Sequence, residues 1–274
     1  MPVHSTFVEQ ICQEPLNLPR AALEFARTVA YPNLDVGHYL GRLDALAERA
    51  GNYLPAGHPG TRRAILLSDF LFRQEGLRGN SLFYTDPRNS FLNEVLDRKL
   101  GLPILLSAIF IDVARRLGFD AHGVGMPGHF IVRVDVEEET LFLDPFHSGV
   151  RLSREDCFNL VKQVTGYRGD FRPHWLNPVR ERDMLARMLN NLRMVYVQNK
   201  EWKPALCVLG LLQMTEPDQH THVRDLGLLH QESGDVQAAI YFLEAYLMRH
   251  WNAPDADAVR GQLNSLSKNL AMRN

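Results

Sequence analysis

The sequence predicts an α+β chain. A helical N-terminal part, a central buried helix and a small antiparallel sheet come first, and an all-α region of helical hairpins follows. Three observations carry this reading. Residues 104–117 are apolar on nearly every side, which places that helix at the centre of a domain. Short runs rich in Val, Ile and Phe follow it, broken by Gly, Pro and acidic residues. Beyond about residue 177 the pattern is helical throughout, and it repeats every 34 residues.

Composition sets the frame. The 274 residues are 45% hydrophobic and 23% charged, as expected of packed globular domains rather than disorder. The formal net charge of −2 lacks the basic excess of a nucleic-acid binder. The three cysteines, Cys12, Cys157 and Cys207, are odd in number and form no CxxC pair, so neither a disulfide framework nor a thiolate zinc site is expected. No apolar stretch reaches the ~20 residues of a membrane span. The opening MPVHSTFVEQ lacks the apolar run of a signal peptide. The expectation is a cytoplasmic protein with no membrane or nucleic-acid partner.

The elements follow in order. Residues 5–30 read as one helix, with Leu23 and Ala26 on its apolar face and Tyr31-Pro32-Asn33 as its stop. Asp35 is placed to cap a second helix whose face carries Val36, Leu40, Leu43 and Leu46. Residues 52–60 read as a loop and Arg62 to Glu75 as a third helix. After a loop from Gly76 to Asn89, Phe91 begins a short helix in which Glu94 and Arg98 stand at i,i+4 spacing. Gly101-Leu102-Pro103 ends it and opens the buried helix, with Pro suited to the first turn and Gly118 to the C-cap. Three antiparallel strands are predicted at Ala121–Gly125, His129–Val136 and Thr140–Asp144, with a turn at residues 137–139. A helix from Arg154 to Thr165 and a loop complete a core spanning 1–176.

The region 177–274 contains the repeat. At an offset of 34, Leu192 aligns with Leu226, Glu201 with Asp235, Ala205 with Ala239, Leu209 with Leu243, and Leu212 with Tyr246. A small residue followed by large apolar ones four and seven positions on suits close packing of a helical hairpin. Pro217 and Pro254 stand just past each second helix. Two hairpins and a terminal helix are expected to pack against the core.

The segment Asn89 to Gly149 bears on chemistry. A helix, then a strand bearing His129, then a strand ending in Asp144 is the chain order of a papain-type triad. That chemistry needs a thiol at a helix N-terminus, where unpaired N–H groups stabilise a thiolate, and a His base oriented by a carboxylate. The segments YTDPRNSFLNEVLDRKLGLPILLSAIFIDVARRLG, GVGMPGHFIVRV and FLDPFHSG, with the repeats after them, resemble the bacterial transglutaminase-like family of Sir-B type that carries C-terminal tetratricopeptide repeats. The resemblance implies a papain/transglutaminase-like core. Aligning the Arg-x-Leu-Gly ending of that family's helix on Arg115 to Gly118 puts the nucleophile at or near Pro103 or Ile104. Neither residue carries a thiol or hydroxyl, and Leu105 stands where the family often has Ser.

The expected site is therefore a retained His129–Asp144 pair without its nucleophile. Ser107 is the nearest hydroxyl, and a buried helical Ser is expected to bond back to a backbone carbonyl. Asn89, Asn93, Glu94, Pro103 and His147 are candidates to line the cleft. The spacing of His129, Asp144 and His147 is loose for a metal site, so no metal and no cofactor is assigned. Cys157 falls after Asp144, the wrong order for a triad. The reading leans away from an enzyme and toward a binding or regulatory protein that takes a protein or peptide through the cleft or the repeats. Two alternatives stand beside it: a hydrolase or acyl-transfer enzyme using His129, Asp144 and water or Ser107, and a purely structural fold with a cleft closed by side chains such as Leu105 and Phe130.

Overall fold

The computed structural model describes residues 3–58, 60–137 and 139–271. Met1, Pro2, Pro59 of the expected loop, Glu138 of the expected turn and residues 272–274 lie outside them. The chain divides into two compact units, 1–188 and 189–274.

The first unit begins with two helices, where the sequence predicts one. α1 (Val3–Ile11) and α2 (Leu18–Val29) are parted because Pro15 has no N–H to donate and Asn17 caps α2, its side chain accepting the Arg20 N–H at 3.0 Å. Asp35 caps α3 (Val36–Tyr53) as expected, accepting from the His38 N–H at 2.9 Å. α4 (Gly60–Asp69) runs into a wider π-type turn at Phe70–Gln74. The stretch expected to be loop holds β1 (Arg78–Gly79), which pairs in parallel with β2 (Leu100–Gly101), and a 3-10 turn at Pro87–Ser90. Between them lies α5 (Leu92–Arg98), capped by Phe91 with no side-chain bond.

α6 (Pro103–Arg116) is the predicted central helix. Its residues from Pro103 to Ile111 are all buried, and Gly118 follows it in the left-handed region at φ +82°. α6 packs against β3 (Asp120–Val124) and β4 (Ile131–Val136). The sheet has five strands rather than three, in the order β6-β5-β4-β3-β7. β5 (Glu139–Asp144) is joined on its outer edge by β6 (Val150–Leu152), and β3 by β7 (Pro178–Val179), antiparallel throughout. The two added strands are two or three residues long and carry no alternation to read. On one face of the sheet Val124, Ile131 and Phe142 pack with Cys157 and Val161 of α7 (Arg154–Thr165). The alternate residues Val132, Val134, Leu141 and Leu143 are also buried, as expected of strands covered on both faces.

The predicted boundary at 176 falls in the 3-10 turn Pro173–Leu176, whereas the compact units part inside α8 (Glu181–Gln198). In the second unit α8 continues to Gln198 and is followed by α9 (Trp202–Thr215), α10 (Thr221–Glu232), α11 (Val236–Arg249) and α12 (Ala256–Ala271). The aligned residues Ala205, Ala239, Leu209 and Leu243 are fully buried. Arg193 of α8 and Asp225 of α10 form an ion pair at 3.2 Å. No helix among the described residues is long and apolar enough to cross a membrane.

Candidate functional site

Two turns bring the candidate residues together. Gly128 takes φ +73°, the His129 N–H donates to the Met126 carbonyl at 3.3 Å, and β4 starts two residues later, at Ile131. His129 thus lies in the turn leading into the strand predicted to contain it. Asp144 is the last residue of β5. Beyond it the chain folds back on the Asp144 side chain: Oδ1 accepts the N–H groups of Phe146 at 3.0 Å and His147 at 3.3 Å. The Gly149 N–H closes the turn on the Asp144 carbonyl at 2.7 Å. Strand pairing of β4 with β5 then sets His129 Nε2 2.9 Å from Asp144 Oδ2.

The pair is 6% and 1% exposed at its side chains. A second imidazole reaches the same oxygen, with His147 Nδ1 2.7 Å from Oδ2 and its side chain 54% exposed. Burial pushes the Asp144 carboxyl up, but the hydrogen bonds and charge of His129 and then His147 outweigh it and hold the group below its ordinary value of 3.8. Asp144 is therefore an ionised acceptor, and it fixes His129 through Nε2.

Aromatic rings wall this pair. Phe146 stands edge-on to His129 at 6.2 Å, and Tyr84 stands edge-on to Phe146 at 5.9 Å. A Cβ on Gly79 would lie 2.4 Å from the Phe146 ring, so only glycine admits it there. Arg187 of α8 donates to the carbonyls of His129 at 2.9 Å and Met126 at 3.3 Å, and lies over the Phe130 ring. Burial draws this guanidinium below its ordinary value. Sequence reading missed Gly79, Tyr84, Phe146 and Arg187. Arg187 lies 58 residues from His129 in the chain, and no local pattern links them.

The other sequence-predicted residues are placed as follows. Asn89 is fully buried and holds the preceding loop: its amide donates to the Phe83 carbonyl at 2.7 Å, and its Oδ1 accepts from Asn80 at 3.0 Å. Its own carbonyl accepts the Leu102 N–H at 3.2 Å, which ties the loop to the start of α6. Asn93 is buried, with Oδ1 unpartnered. Glu94 accepts the Tyr31 hydroxyl at 3.0 Å. Pro103 is the buried first residue of α6, and Leu105 lines an apolar crevice with Leu18, Pro19, Leu43 and Leu92.

Ser107 departs from expectation. Its Oγ is buried and bonds neither to a backbone carbonyl nor to His129. Cys157 lies in the apolar cluster on one face of the sheet, and burial, then the carboxylates of Asp156 and Asp144, push its thiol up to about 12. Among the described residues no thiol or hydroxyl is hydrogen-bonded to His129.

The segment that holds α6, His129 and Asp144 matches a known domain. The transglutaminase-like superfamily model matches residues 37–190, and a tetratricopeptide repeat model matches 192–264. The chain belongs to the transglutaminase-like superfamily. It is 36% identical to a UPF0162 protein of Xylella fastidiosa strain Temecula1 over 258 residues, 93% of this chain and 91% of that one. This places it also among the UPF0162 proteins of bacteria. A UPF0162 protein of Vibrio cholerae is 28% identical over 72% of this chain and 73% of its own length. A shorter stretch of 101 residues is 33% identical to F-box only protein 21 of mouse, covering 34% of this chain and 16% of that protein. The residues matched by the superfamily model include both His129 and Asp144.

Proposed function

We propose that this chain is a non-catalytic binding or regulatory protein of the cytoplasm, in which the transglutaminase-like scaffold holds an extended peptide segment beside His129. The observation that carries this reading is the start of α6. Pro103, Ile104 and Leu105 stand there, all buried, and none can attack a carbonyl. An acyl-transfer mechanism needs a nucleophile within hydrogen-bond reach of its base. On this reading His129 would stand as the base, oriented by Asp144, while the start of α6 offers only a ring and aliphatic carbon.

The loop before Asn89 supports a binding role. Leu82, Phe83 and Tyr84 are consecutive and 87%, 69% and 48% exposed. Asn80 and Asn89 pin this loop from within, so its apolar side chains are presented rather than collapsed. Tyr84 reaches Phe146, and through it the site. An extended peptide with an apolar residue would gain burial against Phe83 and polar contact at His147. The tetratricopeptide unit offers a second surface for a protein partner.

The test is a peptide-library screen read by fluorescence anisotropy, repeated with Phe83→Ser and His129→Ala. Selected peptides are expected to lose about tenfold in affinity with Phe83→Ser, a loss on the scale of one buried aromatic contact. No peptide should be cleaved or acylated. Amide or ester hydrolysis by the full chain that vanishes in His129→Ala would overturn the reading in favour of altered catalytic chemistry.

A further inference from the structure

The His129–Asp144 pair leaves one feature unexplained. A carboxylate that merely orients a base needs one imidazole. Asp144 receives two, both on Oδ2: His129 Nε2 at 2.9 Å and His147 Nδ1 at 2.7 Å. Its other oxygen is already held by the N–H groups of Phe146 and His147. The three ligand-capable atoms lie within 4.8 Å of one another.

We propose that His129 Nε2, Asp144 Oδ2 and His147 Nδ1 are the three protein ligands of a divalent transition-metal site of the zinc class. Two imidazoles and one carboxylate, with a fourth position left open, are a donor set that this ion takes. With bonds of about 2.0–2.1 Å, tetrahedral ligands stand about 3.3–3.4 Å apart. The two nitrogens would therefore retreat from Oδ2 by about half an ångström and stand about 3.3–3.4 Å from each other, from a present separation within 4.8 Å. Each neutral imidazole accommodates the ion by carrying its proton on its other ring nitrogen, so no proton need leave the site.

Two further observations favour this site. The backbone donors on Oδ1 fix the carboxylate as outer-shell partners do around a bound metal. His147, half exposed, gives the ion a path from solvent.

The other cluster of this kind, Asp120, His122 and Asp135, differs in a decisive way. Asp135 is already bound by the Arg133 guanidinium at 2.8 Å and the Thr140 hydroxyl at 2.6 Å, and the cluster is open to water. Among the described residues no Arg or Lys pairs with Asp144. A dication beside one carboxylate leaves the site a net +1, which favours an anionic fourth ligand such as hydroxide or a carboxylate.

The experiment uses the full chain after treatment with chelator. Zn2+ is titrated by equilibrium dialysis, and Co2+ by its visible spectrum, which is intense when the ion is four-coordinate. One ion per chain is expected, with affinity falling at least about tenfold in His147→Ala and in His129→Ala and unchanged in His122→Ala. Binding that survives the double variant His129→Ala/His147→Ala, or that is lost in His122→Ala, would overturn the proposal. X-ray absorption at the zinc edge of the unaltered protein is expected to show two imidazole ligands, and an all-oxygen shell would also sink it. That measurement stays decisive if the variants fail to fold. Metal binding is read without any peptide, so it stands or falls apart from the binding role. Metal-dependent amide hydrolysis would end the non-catalytic reading and leave this one intact.

Discussion

Asp144 is almost fully buried and yet ionised, so its desolvation must be offset by the four donors around it. Replacing it with Asn removes the charge and turns one acceptor edge into a donor that faces two imidazoles. Asp144→Asn is expected to lower stability by about 2–4 kcal/mol at neutral pH, as for breaking a buried pair, measured by urea denaturation. The pH dependence follows from the lowered folded value. The contribution of Asp144 is complete above the ordinary 3.8 and is lost as pH falls through the depressed value in the folded state. The gap between the native chain and the variant should therefore be constant near neutrality and close only in acid. A gap that closes between pH 5 and 7 would show that another group governs it. Ser107 gives the opposite expectation. Its hydroxyl is buried with no hydrogen-bond partner, a state that costs rather than contributes. Ser107→Ala is expected to leave stability unchanged or raise it by up to about 1 kcal/mol, with peptide binding unaffected. A clear loss of either would mean that the hydroxyl has a role in the site.

At the scale of elements, the turn from Asp144 to Gly149 is what aims the site. Gly149 sits at φ +70°, and a Cβ there would lie 2.0 Å from Ser68 Oγ and 2.4 Å from the Phe72 ring. The Ser68 hydroxyl also donates to the Gly149 carbonyl at 2.8 Å. Gly149→Ala is expected to cost about 2–4 kcal/mol through left-handed strain and overpacking, read as a drop in thermal midpoint. It should also loosen His147, seen as a broadened imidazole resonance. Legibility in the sequence tracks the length of an element. α6, α7 and the capped α3 were readable because a dozen or more residues repeat an apolar pattern between clear stops. β6 and β7 were not, because strands of two or three residues show no period. The split between α1 and α2 is hidden in the sequence because helix-forming residues on both sides outweigh Pro15 and Asn17.

At the scale of the whole molecule, the three thiols report where reactivity lies. Cys12 is exposed, Cys207 partly so, and Cys157 buried. Burial also pushes the Cys207 thiol up. A disulfide-exchange reagent at neutral pH is expected to label Cys12 fast, Cys207 slowly, and Cys157 only at the rate of unfolding. Rapid labelling of Cys157 in the native state would place a reactive thiol in the core and undercut the non-catalytic reading. The repeat is legible at this scale for a simple reason. Two hairpins that use the same packing solution must place small and large residues at the same offset, so Ala205 and Ala239 announce each other in one dimension.

The class of fold, the central helix, the 34-residue repeat, and the pairing of His129 and Asp144 in the chain with a central helix whose first residues carry no thiol or hydroxyl were all legible in one dimension. These are written in local periodicity and in residue type, which need no third dimension. Folding in three dimensions was needed to reveal that His147 shares the oxygen of Asp144 with His129, that Phe146 needs the bare backbone of Gly79, and that Arg187 reaches the carbonyl of His129. Such contacts join turns and helices far apart in the chain. They depend on strand register and on the path of a turn, and neither leaves a periodic mark on the residues it brings together.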